Sequence, residues 1–180
     1  MIAIRTLDAA ESWAAIPALA DLLVEAVDAG ASVSFMAPLD FGDAVAFWTE
    51  IAGSVAAGKR ILIVAEQANR LVGTVLVDLV PVPNQNHRAE IGKLIVALEV
   101  RRHGVGKRLM VAAEKAATAA GRTLLTLDTR AGDKPEKLYR SMGWTEFGRV
   151  PRYARASNGT LEETVFFYKE LAVASDMAAE

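Results

Sequence analysis

Apolar residues recur along this chain at two spacings. Alternation with a period of two predicts strands, whereas apolar positions three and four residues apart predict helices. Helices are predicted over residues 17–27, 40–57, 105–120 and 134–142. Strands are predicted over residues 2–6, 60–66, 71–80, 89–98 and 124–129. Residues 144–155 and 161–170 are predicted to form a hairpin around Asn158-Gly159, a pair favoured in tight turns.

The order of these elements predicts an α/β (α+β) domain. We expect a mixed central β-sheet of about seven strands flanked by about four helices. A chain of 180 residues fits a single domain with a sizeable core. We expect that domain to cover residues 1–174 and the remaining residues, 175–180, to form a frayed tail.

The stretch from Val96 to Leu109 carries the most specific chemistry. An apolar strand leads into the sequence Arg-Arg-His-Gly-Val-Gly at residues 101–106, and a helix opens directly behind it. Unpaired backbone N–H groups at a helix start form an anion site, and glycines let a diphosphate approach the backbone. A Walker loop and a dinucleotide fingerprint both require other spacings. The alternative is a plain strand–helix turn that happens to contain two glycines.

The spacing Arg101-x-x-Gly104-x-Gly106 resembles motif A of the GNAT N-acetyltransferase superfamily. A second segment, Leu138-Tyr139-x-x-x-Gly143-Trp144, resembles the family's Leu-Tyr-x-x-x-Gly-Phe segment. The resemblance implies the GNAT fold with splayed central strands, and acetyl-CoA as cosubstrate. It also implies a set of cofactor-binding residues, namely Leu94, Ile95, Val96, Arg101, Arg102, His103, Gly104, Val105, Gly106 and Lys107.

Three less general segments, residues 30–36, 88–94 and 127–129, resemble the tabtoxin-resistance branch of this superfamily. That branch acetylates the amine of an amino-acid-like toxin. The resemblance implies that Glu90 and Asp128 act as general bases, and the region also makes Phe35 a candidate for the wall of the substrate site. The resemblance thus implies a role in antibiotic resistance.

The reaction itself also requires these residue types. An amine is mostly protonated at neutral pH, so a carboxylate must take its proton before it attacks a thioester. Glu90 begins the motif A strand and Asp128 lies near the end of the next strand. Alternatively, Glu90 forms a salt bridge with Arg88 or Lys93, and Asp128 is a helix cap or loop carboxylate. Without a bulge, Glu90 shares a strand face with Leu94 and Val96.

The departing thiolate requires a proton, and Tyr139 is the matching family residue. Its phenol is neutral at pH 7 and can donate a proton. The alternative is a core tyrosine whose hydroxyl is satisfied by a backbone carbonyl. A backbone N–H near Ile95 or Val96 is a candidate donor to the carbonyl oxygen that gains charge during attack.

The amino-acid composition argues against several classes of binding partner. The formal net charge of −2 argues against a nucleic-acid partner, and no uncharged run is long enough to predict contact with a membrane. With no cysteine and two histidines, no metal site is predicted. Residues 1–50 hold eight acidic residues and one basic residue, which favours a cationic substrate; alternatively, these charges lie on solvated helix faces. No signal peptide is evident, so we expect a cytoplasmic protein, and the sequence leaves a homodimer open.

The sequence as a whole predicts an acetyl-CoA-dependent N-acetyltransferase for a small amine, with an amino-acid-like antibiotic or toxin as the candidate acceptor. Two alternatives remain open. One is an acetyltransferase for a protein or peptide N-terminus or a lysine, which a shallow open cleft would favour. The other is a non-catalytic acetyl-CoA-binding sensor, in which Glu90 and Asp128 would lie far from the thioester.

Overall fold

The computed structural model describes residues 1–172, so the expected tail over residues 175–180 lies outside the described residues. The described chain forms one seven-stranded sheet in the order β1-β2-β3-β4-β5-β7-β6. Its strands are β1 (Ile2–Thr6), β2 (Arg60–Gln67), β3 (Arg70–Leu79), β4 (Arg88–Val96), β5 (Leu124–Arg130), β6 (Thr145–Arg155) and β7 (Leu161–Glu170). The mixed sheet and the α/β class are thereby confirmed.

The sheet opens at its centre. Strands β4 and β5 are parallel, and their pairing is confined to Arg88–Glu90 opposite Leu124–Thr126. The other neighbouring strands are antiparallel. Beyond Glu90 and Thr126 the two strands separate, which leaves the facing backbone edge of β4 without a strand partner. The splayed central strands are therefore present.

Within residues 1–172, five α-helices flank the sheet: α1 (Ala9–Ala14), α2 (Ile16–Asp28), α3 (Phe41–Ala56), α4 (Val105–Ala119) and α5 (Lys134–Ser141). The sequence predicted about four, because α1 is too short to show a helical apolar period. A capping box defines it instead: the Asp8 side chain accepts the Glu11 N–H, and the Glu11 side chain accepts the Asp8 N–H. None of the described helices is long and apolar enough to cross a bilayer.

The helices cover opposite faces of the sheet. Helices α2 and α4 both pack on β3 and β4, so they must lie on different sides of these strands. Gly73 marks the α4 face, since a Cβ built there would lie 3.1 Å from Leu109 Cδ1. Val96, the cross-strand partner of Gly73, belongs to the same face. The buried core accordingly has two layers, one on each side of β3 and β4.

Strand β4 ends earlier than predicted and contains a bulge. It stops at Val96, and the predicted end, Leu98, lies in a 3₁₀ turn over Leu98–Val100. Thr74 pairs with Ile95 and Leu76 with Gly92, so β4 holds one residue more than β3 over this interval. Because of this extra residue, Ile95 lies on the face of Glu90 and Gly92, and Val96 lies on the other face. The parity expected for an unbulged strand is therefore wrong beyond Gly92.

Candidate active site

The start of α4 has no side-chain cap. Gly104 is the N-cap with φ +74°, and no side chain caps the helix. The Arg108 N–H donates to the Gly104 carbonyl at 3.1 Å, so the N–H groups of Val105, Gly106 and Lys107 precede the first helical bond. Arg102, in the same loop, also adopts a left-handed conformation, with φ +70°. Together with the helix dipole, these free donors favour a phosphate group.

A cleft of about 540 Å³ runs from this helix end to the opening between β4 and β5. Its walls come from the end of α2, the loop after it, the β4 edge, the α4 start and the β5–α5 loop. The residues that line it are Ala26, Ala29, Gly30, Ala31, Ser32, Val33, Leu94, Ile95, Val96, Val100, Arg101, Arg102, Gly104, Val105, Gly106, Lys107, Thr129, Arg130, Asp133, Lys134, Pro135 and Leu138. Nine of the ten cofactor-binding residues expected from the sequence are among them.

His103 is the tenth, and it lies elsewhere. It borders a smaller depression together with Met1, Ile2 and Gln67. The left-handed backbone at Arg102 and Gly104 on either side turns the loop sharply at this point. The structure thus separates His103 from the other residues of the phosphate loop.

The separated edge of β4 can receive an extended ligand. Leu94, Ile95 and Val96 line the cleft where β5 has moved away. The Arg101 side chain occupies one backbone acceptor here, because its Nε–H donates to the Val96 carbonyl at 3.0 Å. Backbone groups on a free strand edge can pair with an amide-bearing chain as a neighbouring strand would.

Glu90 and Asp128 share one face of the sheet. Glu90 pairs with Thr126 in the parallel ladder, and Asp128 lies two residues beyond Thr126 on the same side of β5. The Glu90 carboxylate is bound by the Arg88 guanidinium at 2.6 Å, one of the alternatives open at the level of sequence. Glu90 lies where β4 and β5 are still joined, whereas Asp128 lies where they have parted.

The surroundings of Asp128 change the pKa of its carboxylate. Its surface is partly open to solvent, yet protein atoms surround the carboxylate, and desolvation raises its pKa above the ordinary value. The nearby Lys93 ammonium opposes this rise in pKa, and the Glu90 carboxylate adds to it. In its ionised form, a carboxylate with a raised pKa is a stronger base.

Tyr139, on α5, is buried, with 5% of its surface exposed, and it is not among the residues that line the cleft. Its ring centroid lies 6.0 Å from those of both Trp144 and Phe167. Burial raises the phenol pKa, and the Asp128 charge raises it further. The phenol is therefore protonated at neutral pH and sensitive to the state of Asp128.

Phe35 lies on the loop after α2 and is not among the residues that line the cleft. Its ring meets Phe47 of α3 edge to face at 5.2 Å. Lys93, the extra residue in the β4 bulge, places its Nζ 5.4 Å from the Phe47 centroid. Sequence analysis did not assign a function to Phe47 or Lys93. The left-handed φ of +50° at Lys93 depends on tertiary contacts that no local pattern reveals.

The β5–α5 loop also contains residues that the sequence did not single out. Arg130, Asp133 and Lys134 line the cleft, and the Arg130 guanidinium binds the Asp133 carboxylate at 2.9 Å. Glu136, with 9% of its surface exposed, accepts the Gly132 N–H at 2.7 Å. This hydrogen bond lowers the pKa of Glu136 and shapes the loop that borders the cleft.

A model of the acetyltransferase (GNAT) family matches residues 31–144 of this chain. The matched region begins in the loop after α2 and ends just before β6, so it contains the phosphate loop, Glu90, Asp128 and Tyr139.

Solved structures agree on the fold. The Salmonella typhimurium yncA protein, solved with its cofactor acetyl-CoA, is 16% identical with a TM-score of 0.77, covering 99% of this chain and 98% of that one. A protein provisionally assigned as a phosphinothricin N-acetyltransferase is 20% identical with a TM-score of 0.75, covering 96% and 99%. The ribosomal-protein-alanine N-acetyltransferase of Brucella melitensis is 22% identical with a TM-score of 0.74, covering 94% and 99%.

Proposed function

Because the chain belongs to the acetyltransferase (GNAT) family, an N-acetyltransferase family that uses acetyl-CoA, we propose that it acetylates the amine of a small molecule. One observation carries the proposal: a single cleft joins the open N-terminus of α4 to the point where β4 and β5 separate, which it reaches at Thr129, the residue after Asp128. A ligand with a diphosphate at one end and a reactive group at the other fits these two ends. We further propose that the acceptor is an amino-acid-like antibiotic or toxin and that the protein is cytoplasmic.

The phosphate end of the ligand is assigned to the α4 start. The N–H groups of Val105, Gly106 and Lys107 donate to diphosphate oxygens, and Arg101 and Arg102 add positive charge. The β4 edge from Leu94 to Val96 pairs with the amide-bearing arm. Acetyl-CoA supplies the thioester whose acetyl group is transferred. In this proposal, backbone groups of the cleft bind acetyl-CoA and orient its thioester.

The proton transfers are assigned to side chains on the two sides of the opening. Asp128, assisted by Glu90, accepts the proton of the acceptor amine as its nitrogen bonds to the acetyl carbon. The carbon–sulfur bond breaks, and Tyr139 gives its proton to the departing sulfur. The raised pKa values of Asp128 and Tyr139 suit a base and a neutral acid respectively.

The shape of the acceptor side supports a small acceptor over a protein chain. The loop after α2 is hydrogen-bonded to the end of β5 and to the turn between β6 and β7. The Arg130 guanidinium donates to the Gly30 carbonyl at 3.3 Å, and the Ala37 N–H donates to the Ser157 carbonyl at 3.0 Å. A loop tied down in this way walls the acceptor side, whereas a polypeptide acceptor requires an open groove.

The resemblance to the tabtoxin-resistance branch supports the same choice. The three segments that carry it are far apart in sequence, but their side chains meet at one place. Ser34 accepts a hydrogen bond from Lys93 at 3.1 Å, and the charges of Lys93 and Asp128 influence each other. The segments therefore build one region beside the opening of the sheet.

An acceptor screen tests the proposal. Purified protein is mixed with acetyl-CoA and a panel of amino acids, amino-acid-like antibiotics, polyamines and peptides, and free thiol is measured. We expect thiol release with small amines. Release only with peptides would favour the N-terminal or lysine acetyltransferase, and acetyl-CoA binding without any acceptor-dependent release would favour a sensor.

A further inference from the structure

Most charged groups near the sheet face that carries Glu90 and Asp128 are paired with one another. Arg88 binds Glu90 at 2.6 Å, Arg60 binds Asp78 at 2.6 Å, and Arg130 binds Asp133 at 2.9 Å. Two charged side chains of opposite sign, Asp128 and Lys93, do not follow this pattern. Within residues 1–172, neither Asp128 nor Lys93 takes part in a salt bridge, although each feels the charge of the other.

The Lys93 side chain is held in place by its surroundings. Its Nζ donates to the Ser34 hydroxyl at 3.1 Å and lies 5.4 Å and 6.0 Å from the ring centroids of Phe47 and Phe35. The backbone is left-handed at both Lys93 (φ +50°) and Ser34 (φ +72°), which is costly for residues other than glycine. A bulge that re-aims a charged side chain next to an active site is a recurring device.

We propose that Lys93 is a specificity-determining residue that binds a carboxylate of the acceptor while the acceptor amine lies at Asp128. The inference rests on the proposed function and names its substrate class as an amine that also carries a carboxylate. Such a zwitterion complements both unpaired charges at once. Phe35 and Phe47 lie beside the ammonium and exclude water around it, which strengthens the charge-assisted hydrogen bond to a carboxylate.

The test compares each amino acid with its own amide, which keeps the amine and the side chain but removes the negative charge. We expect the wild-type kcat/KM to be higher for the amino acid. Lys93→Met should lower kcat/KM for amino acids by about 10- to 100-fold, mainly through KM, because a hydrogen bond to a charged group is lost. The amides should keep their values, and Lys93→Arg should restore part of the preference.

Lys115→Met is the matched control, since Lys115 is exposed on α4 away from the cleft. It should leave both substrate classes unchanged, and the KM for acetyl-CoA should be the same in all variants. Equal losses for amino acids and amides, or no loss for either, would overturn the role of Lys93. A wild-type enzyme that acetylates amines with no preference for the carboxylate would overturn the inference alone. Failure to acetylate any small amine would overturn the proposed function as well.

Discussion

Gly106 lies in the first turn of α4, where a ligand rather than the fold requires a glycine. A Cβ added there would lie 3.5 Å from Leu138 Cδ2 and 3.9 Å from Val96 Cγ2, both ordinary contacts. Its φ is not in the left-handed region, so alanine fits the backbone. Gly106→Ala should therefore stabilise the free protein by about 0.5–1 kcal/mol, because glycine in a helix costs about that much relative to alanine. The corresponding rise in Tm is about 1–4 °C for a domain of this size.

Binding should change in the opposite direction. The added methyl group projects into the cleft and keeps a diphosphate from approaching the backbone N–H groups. Loss of one charge-assisted hydrogen bond is worth about 1.5–3 kcal/mol, which corresponds to a rise in Kd for acetyl-CoA of about 10- to 100-fold. Calorimetric titration gives the Kd, and a thermal melt of the free protein gives the stability.

Gly53→Ala provides the control. Gly53 lies inside α3, and a Cβ there meets nothing within 4 Å. This variant should gain a similar stability without any change in the Kd for acetyl-CoA. The assignment of the diphosphate to the α4 start would be refuted if Gly106→Ala bound acetyl-CoA as tightly as the wild-type protein.

Three further substitutions test the proton transfers. Asp128→Asn should lower kcat and remove the acid limb of the pH profile of kcat. Burial raises the pKa of Asp128 in the folded state, so the charged carboxylate destabilises the fold. This variant should therefore be more stable to urea than the wild type at pH 7, and the difference should disappear as the pH falls toward about 4. Glu90→Gln should lower kcat less, since Glu90 is already bound by Arg88. The variant that carries both substitutions should have a lower kcat than either single variant. Full activity in this double variant would show that another group takes the proton. Tyr139→Phe should slow turnover less for donors with more acidic thiols, whereas an equal defect for all donors, measured by thiol release, would rule out proton donation.

The sequence predicted the sheet well because its strands carry strong apolar patterns, as in the run of buried positions from Val72 to Val77. It predicted the glycine-containing turn before α4 because glycines that follow a strand and precede a helical pattern mark a helix start; its role in binding phosphate stays a prediction. Helix α1 was missed because six residues do not establish a helical period, and its signal is a capping box instead. The sequence left open whether β4 contains a bulge, because no local residue type marks one: Lys93 is held in its left-handed conformation by contacts with Ser34 and Phe47, which come from distant segments.

A competition assay tests the central claim most directly. Equal concentrations of an amino acid found in the screen and a peptide with an N-terminal alanine are incubated with acetyl-CoA that carries a deuterated acetyl group, and both products are measured by mass spectrometry together with free thiol. We predict that the label appears on the amine of the small molecule, with one thiol released per acetyl group, and that Asp128→Asn reduces this product. Label found predominantly on the peptide, or an unlabelled amine despite bound acetyl-CoA, would contradict the account.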